Sequence, residues 1–169
     1  MSALFFLGVV LAYTVVSSWK IEVDYSIKFS SKDVSGIFKK FSGTVVFDEN
    51  NLQASSFNLV IDVASINTGN GLQNKHAKSE DWFDAANYPQ IRFTSSRIEK
   101  SGNDYTVKGI MEIHGVKKEI SIPFSFSKDD NRAVFTSGFV VKRGDYKVGK
   151  PGGDVAEDIK IEVKVPVTK

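Results

Sequence analysis

From Ile159 to Val167 every second residue is aliphatic (Ile159, Ile161, Val163, Val165, Val167), and between them stand Lys160, Glu162, Lys164 and Pro166. A period of two over this length gives an extended strand one dry and one wet face, a pattern no helix can use. It recurs along the chain. Ile21, Val23, Tyr25, Ile27 and Phe29 alternate with charged and hydroxyl residues, and Phe57, Leu59, Ile61 and Val63 fall on one side of the run between about Ala54 and Ile66. Further runs start at Ile91 and Phe93, at Tyr105, Val107, Gly109, Met111 and Ile113, at Ile120, Ile122, Phe124 and Phe126, and at Phe135, Ser137, Phe139 and Val141. A long run from Val34 to Phe47 is expected to bend at Gly36 or Gly43. Turn formers separate the runs: Asp48 to Asn51, Lys100 to Asp104, His114-Gly115 and Lys128 to Asn131. About eight strands joined by short turns pair antiparallel. The expected fold is all-β, an eight-stranded antiparallel up-and-down barrel closing first strand to last, with a β-sandwich as the alternative. Such a barrel has room for its own side chains or for one small ligand.

One long break interrupts the alternation, between Ile66 and Ile91. Breaks of this length in a compact β domain are usually functional. The stretch predicts a turn over Asn67 to Gly71, a short helix from roughly Gln73 to Ala85, and an exit set by Pro89, which drives Tyr88 toward extended geometry. Trp82 and Phe83 give that helix an apolar edge, and its expected seat is the mouth of the barrel. A second irregular stretch runs from Arg143 to Ala156.

At 169 residues the chain is one domain with enough length for a core. A net charge of +2, with both signs interspersed and no basic run beyond a Lys-Lys pair, gives nucleic-acid binding no electrostatic support. Cysteine is absent, which removes disulfides and thiolate chemistry. Ala3 to Val16 is apolar over about 14 residues, short of a membrane span. Val16 and Ser18 have the small-residue spacing of a leader-cleavage site, although Met1 and Ser2 bring no Lys or Arg. The expected division is a signal peptide over 1–18 and a barrel domain over 19–169, in a periplasmic or secreted protein.

Catalytic candidates are few. His76 and His114 are weak evidence for a metal site and read as a loop-packing residue and a turn residue. Ser79, His76 and Asp81 share one short helix, whereas a nucleophilic triad is drawn from separate elements. No hydrolase, zinc or nucleotide motif is present. The expectation is a protein that is not an enzyme and holds no metal or cofactor. With 13 Phe, 5 Tyr and 2 Trp, the inward faces are either packed solid or leave an apolar lumen with Trp82, Phe83 and Tyr88 at its mouth. Alternation alone leaves both open.

Six motifs together resemble the YceI-like family of polyisoprenoid-binding or lipid-binding periplasmic proteins. They are Phe47-Asp48, DVASINTGN from Asp62 to Asn70, HAKSEDWFD from His76 to Asp84, YPQIRF from Tyr88 to Phe93, GIMEIHGVK from Gly109 to Lys117, and RGDY from Arg143 to Tyr146. The chain departs from the family's habit at Tyr25-Ser26, where many members carry His-Ser, and at Lys147, where many carry Gly. The resemblance implies an extended lipocalin-like barrel with a short helical loop insertion, exported, holding a long isoprenoid, isoprenoid quinone or fatty amphiphile for transport or storage. It places Thr68, Gly69, Asn70, His76, Trp82, Phe83, Asp84, Tyr88 and Pro89 beside the lumen, and Arg143, Asp145 and Tyr146 in the second irregular stretch. The alternation adds a wall of Tyr25, Ile27, Phe29, Phe57, Leu59, Phe93 and Phe139. The implied partner is the lipid, with transient contact to a membrane or membrane enzyme, and the chain is expected as a monomer or homodimer. The competing expectation is a filled barrel that presents residues 68–88 to another protein.

Overall fold

A computed structural model describes residues 17–169. The expected leader falls on residues 1–16, outside the described part, and on Ser17 and Ser18, which already belong to the barrel. The Ser17 carbonyl accepts from Phe47 N at 2.9 Å, and Ser18 pairs with Val46.

Eleven strand segments and one short helix follow one another: β1 (Ser18–Ile21), β2 (Ser26–Ser30), β3 (Ser35–Phe38), β4 (Phe41–Val46), β5 (Ser56–Asp62), β6 (Ile66–Asn67), α1 (Gly71–Ala77), β7 (Gln90–Ser101), β8 (Asp104–Ile113), β9 (Val116–Asp129), β10 (Arg132–Lys142) and β11 (Asp158–Thr168). The first six segments are halves of three interrupted strands. The result is a closed antiparallel barrel of eight strands, with β1 and β2 both pairing with β11 to seal it. The sandwich alternative is thereby excluded.

The interruptions have local causes. The second strand breaks at Lys39-Lys40, not at either glycine, because the Tyr25 hydroxyl sits in the break. It donates to the Lys39 carbonyl at 2.8 Å and accepts from Phe41 N at 3.0 Å. Gly36 serves close packing instead: a Cβ there would stand 2.5 Å from the Phe29 ring. In the third strand the Asp62 carboxylate accepts from Ala64 N at 2.9 Å, winding Val63–Ser65 into a helical turn before pairing resumes at Ile66.

The helix is shorter than expected and starts earlier. The Asn70 side chain accepts from Leu72 N and Gln73 N, so α1 begins at Gly71. It ends at Ala77, where the Ser79 hydroxyl donates to the His76 carbonyl at 2.7 Å. Residues 78–88 continue as turns through Asp84, whose φ is +45°.

Two ends of the barrel differ. Hairpins 47–55, 101–104 and 129–132 lie at one end. There Trp19, Phe47, Phe57, Tyr105, Phe124, Phe126 and Phe135 interlock as the core's densest part, with five rings centred 4.8–6.1 Å from that of Phe47. The other end carries α1, the turns to Pro89 and the 143–157 loop.

One seam in the wall is unlaced. β9 and β10 pair only from Asp129↔Arg132 to Ser125↔Thr136, although both strands run on toward the loop end. The cause is Pro123. Its carbonyl faces β10, where it accepts from the Ser137 hydroxyl, so the N–H it lacks would have faced β10 too. Past that point the strands diverge, and Lys118 Nζ reaches Asp145 Oδ1 at 3.4 Å from one lip to the loop beyond the other.

Candidate functional site

Above the aromatic cluster the bore is hollow, in two chambers. The lower holds about 170 Å³ of free volume, walled by inward side chains that include Ile27, Phe29, Phe57, Leu59, Phe93 and Phe139, all expected from the alternation. Val107, Met111, Ile122, Phe124, Phe135 and Val163 also line it. Each of these six lies in phase in an alternating run, so the pattern already carried the signal. A water molecule needs two to four polar partners, and this wall offers none in its depth, so the space suits apolar atoms.

The upper chamber, about 260 Å³, lies under the loops and carries its polar groups: Asp33, Thr68, Gln73, His76, Arg143 and Tyr146, with Trp82 and Phe83 as apolar cover. Phe29, Phe38, Ile91, Ile113, Val141 and Ile161 border both chambers and form a collar between them. The edge formed by Trp82 and Phe83 is thus seated on the barrel mouth. Phe83 meets Phe38 edge-on at 6.2 Å, and Trp82 lies 5.6 Å from the Arg143 guanidinium.

Three residues expected to contact ligand lie outside the lining of both chambers. Tyr25 fills the break in the second strand, packed edge-on against Phe41 at 5.5 Å. Tyr88 covers the His114-Gly115 turn, 4.9 Å from the imidazole, where a Cβ on Gly115 would come within 2.5 Å of its ring. Asp145 pairs with Lys118. His114 Nδ1 lies 3.0 Å from the Lys147 carbonyl, so the hairpin turn is tied to both irregular loops.

Arg143 is the organising cation of the mouth. Nε donates to the carbonyls of Val155 and Ala156, Nη1 to those of Val148 and Lys150, and Nη2 to Val155 O and Glu157 Oε1, at 2.8–3.2 Å. All five donors of the guanidinium are committed, and its side chain is 4% exposed. Tyr146 is buried beside it, and its hydroxyl finds no hydrogen-bond partner among the described residues. Burial, with Asp145 nearby, pushes its phenol above the usual tyrosine range.

The chemistry of a triad is not assembled. Ser79 is spent on the His76 carbonyl, and Asp81 faces Lys150 at 3.8 Å. Among the described residues no three His, Asp or Glu side chains converge to hold a metal, and no helix is long and apolar enough to cross a membrane.

A profile of the YceI-like domain matches residues 14–167, nearly the whole chain. The chain belongs to the YceI-like family. Among YceI-like relatives, Protein YceI of Escherichia coli O17:K52:H18 is 31% identical over 136 residues, covering 77% of this chain and 71% of that one. Among solved YceI-like structures, Burkholderia cenocepacia BcnA superposes with a TM-score of 0.84 at 31% identity, covering 88% of this chain and all of that one. A polyisoprenoid binding domain from Saccharophagus degradans shares the fold at a TM-score of 0.69 and 17% identity, over 91% of this chain and 99% of that one.

Proposed function

We propose that this protein is a non-catalytic carrier that takes a long apolar chain, a polyisoprenoid, isoprenoid quinone or fatty amphiphile, into its bore for transport or storage. The observation that carries the reading is the lower chamber, whose depth is apolar on every side and which continues through the collar to a mouth with polar groups. Each methylene moved from water into such a space gains about 0.8 kcal/mol. The two chambers together fall in the size range of small-molecule sites, roughly 300–1,000 Å³. The description of the Saccharophagus degradans domain as polyisoprenoid binding supports the same class of ligand. A filled barrel, the premise of the protein-interaction alternative, would leave no free volume below the collar; about 170 Å³ stays open there.

The reading includes export to the periplasm or beyond, by the leader pattern of residues 1–18, and loading from a membrane or a membrane enzyme. Native mass spectrometry of the protein purified without detergent tests it. The expected spectrum contains a lipid adduct, or gains one on incubation with a prenyl alcohol. A bare mass that persists in excess lipid overturns the carrier.

A further inference from the structure

We infer that cargo enters and leaves this barrel sideways, through the unlaced seam between β9 and β10, and not end-on through the mouth. The inference rests on the carrier reading above and gives its site a route of access. The seam lies over the lower chamber. Ile122 and Phe124 on one lip and Ser137, Phe139 and Val141 on the other all line that space. The two strands that bear them share no ladder beyond Ser125↔Thr136. Val141 also borders the upper chamber, so the slot runs past the collar from one chamber to the other. The Ser137 hydroxyl, bound to the Pro123 carbonyl, marks its lower end. Two links close its loop end: Lys118 to Asp145 at 3.4 Å, and His114 Nδ1 to the Lys147 carbonyl at 3.0 Å.

Entry through the mouth is the harder path. A chain coming end-on has to pass the collar tail first. An amphiphile in a bilayer lies the other way, with its head at the surface and its tail in the hydrocarbon. To lead with the tail it has to leave the membrane whole and expose every methylene to water at once. The mouth's cover is also firmly set. Arg143 holds the second loop through all of its donors, and Phe83 packs on Phe38. The two links at the slot's loop end are by contrast single contacts at the surface, the kind that yields first. Through the slot the head stays at the loop end while the tail crosses the wall in segments. Backbone groups that the ladder leaves free along both strands make the slot a passage and not a seat, because a tail lodged there would strand them from water.

The test bridges the slot. Ser121 and Val140 are exposed on opposite lips, and the register of Ser125↔Thr136, if continued, would set them across from each other. The chain has no cysteine, so a Ser121→Cys, Val140→Cys variant takes a short bis-thiosulfonate linker at those two positions alone, and reductant removes it. Transfer of geranylgeraniol from phosphatidylcholine vesicles to the full protein is followed over time by native mass spectrometry. Bridging is expected to slow uptake at least ~10-fold, with reductant restoring the rate. Bridging after loading should slow release to empty vesicles to the same degree. Lys118→Ala, which removes one link at the loop end, should speed uptake roughly two-fold. An unchanged rate in the bridged protein overturns the inference, returns entry to the mouth and leaves the carrier standing. A slowing that reductant does not reverse reports a damaged barrel and counts against the side route too. No gain of speed in Lys118→Ala overturns the part given to that ion pair. If the unbridged protein takes up nothing, the carrier falls, and the inference with it.

Discussion

The two ends of this barrel are built from the same alternating strands and come to opposite outcomes. At the hairpin end the inward positions are Trp19, Phe47, Phe57, Tyr105, Phe124, Phe126 and Phe135, and their rings close the tube. At the loop end the inward positions are mostly Ile, Val, Leu and Met, and the strands are interrupted by polar turns and loops. Alternation decides which side chains face in. Their volume decides whether anything else fits. The hairpin end is a conventional core, close-packed to the density of a solid; the loop end has given up that packing for space.

The sharpest way to break the comparison is at Phe47, 1% exposed and ringed by five aromatic side chains. Phe47→Ala is expected to cost about 3–5 kcal/mol of unfolding free energy, measured by urea titration. A loss below 1 kcal/mol would mean the closed end is not the stabilising core. Next comes the collar. Val141→Phe, beside the unlaced seam where there is slack, should narrow the passage between chambers. We expect cargo occupancy to fall by at least ~10-fold while the cost in stability stays within the overpacking range of about 1–3 kcal/mol. Unchanged occupancy would confine the cargo to the upper chamber.

A smaller contrast lies in two buried tyrosines, one at each end. The Tyr105 hydroxyl donates to Glu49 Oε1 at 3.1 Å, whereas that of Tyr146 has no partner among the described residues. Tyr105→Phe should cost about 1 kcal/mol, and Tyr146→Phe should cost nothing or stabilise, read by denaturant midpoints. Both phenols are raised above 10.0, Tyr105 by burial first and then by its bond to Glu49, Tyr146 by burial first. A raised acid holds its proton longer in the folded state. Its contribution is therefore complete below the unfolded value near 10 and is lost as pH climbs through the folded one. Stability should fall above pH 10, less steeply in the Tyr105→Phe, Tyr146→Phe double variant. An identical slope in the two proteins would assign the fall to other groups.

The strands and their inward faces were legible because a period of two survives any uncertainty about where a strand starts. Breaks within strands were harder. The pair Lys39-Lys40 carries no breaker, and the chain parts there only because a tyrosine hydroxyl from the neighbouring strand occupies both backbone groups. The helix could have been placed better, since Asn70 is a good N-cap in plain view. Its early end depends on Ser79 turning back on the backbone. Pro123 also stood visible inside an otherwise regular run, the local sign that one ladder would stop. The hollow was not legible. It is a small difference between large volumes contributed from every strand, and Arg143 spends its donors on carbonyls that only the path of the second loop brings round it.

Pro123 has a mechanical result. A cylinder hydrogen-bonded around its whole circumference has its girth fixed, because widening it means tearing a ladder. Here the two lips facing each other beyond Ser125 and Thr136 are fastened by one hydroxyl and by an ion pair whose members are both 41–51% exposed, a pairing that salt weakens. Any widening of the tube is therefore cheapest along that one line, while the other seven sides keep their stitching, and a single imino acid sets where it gives.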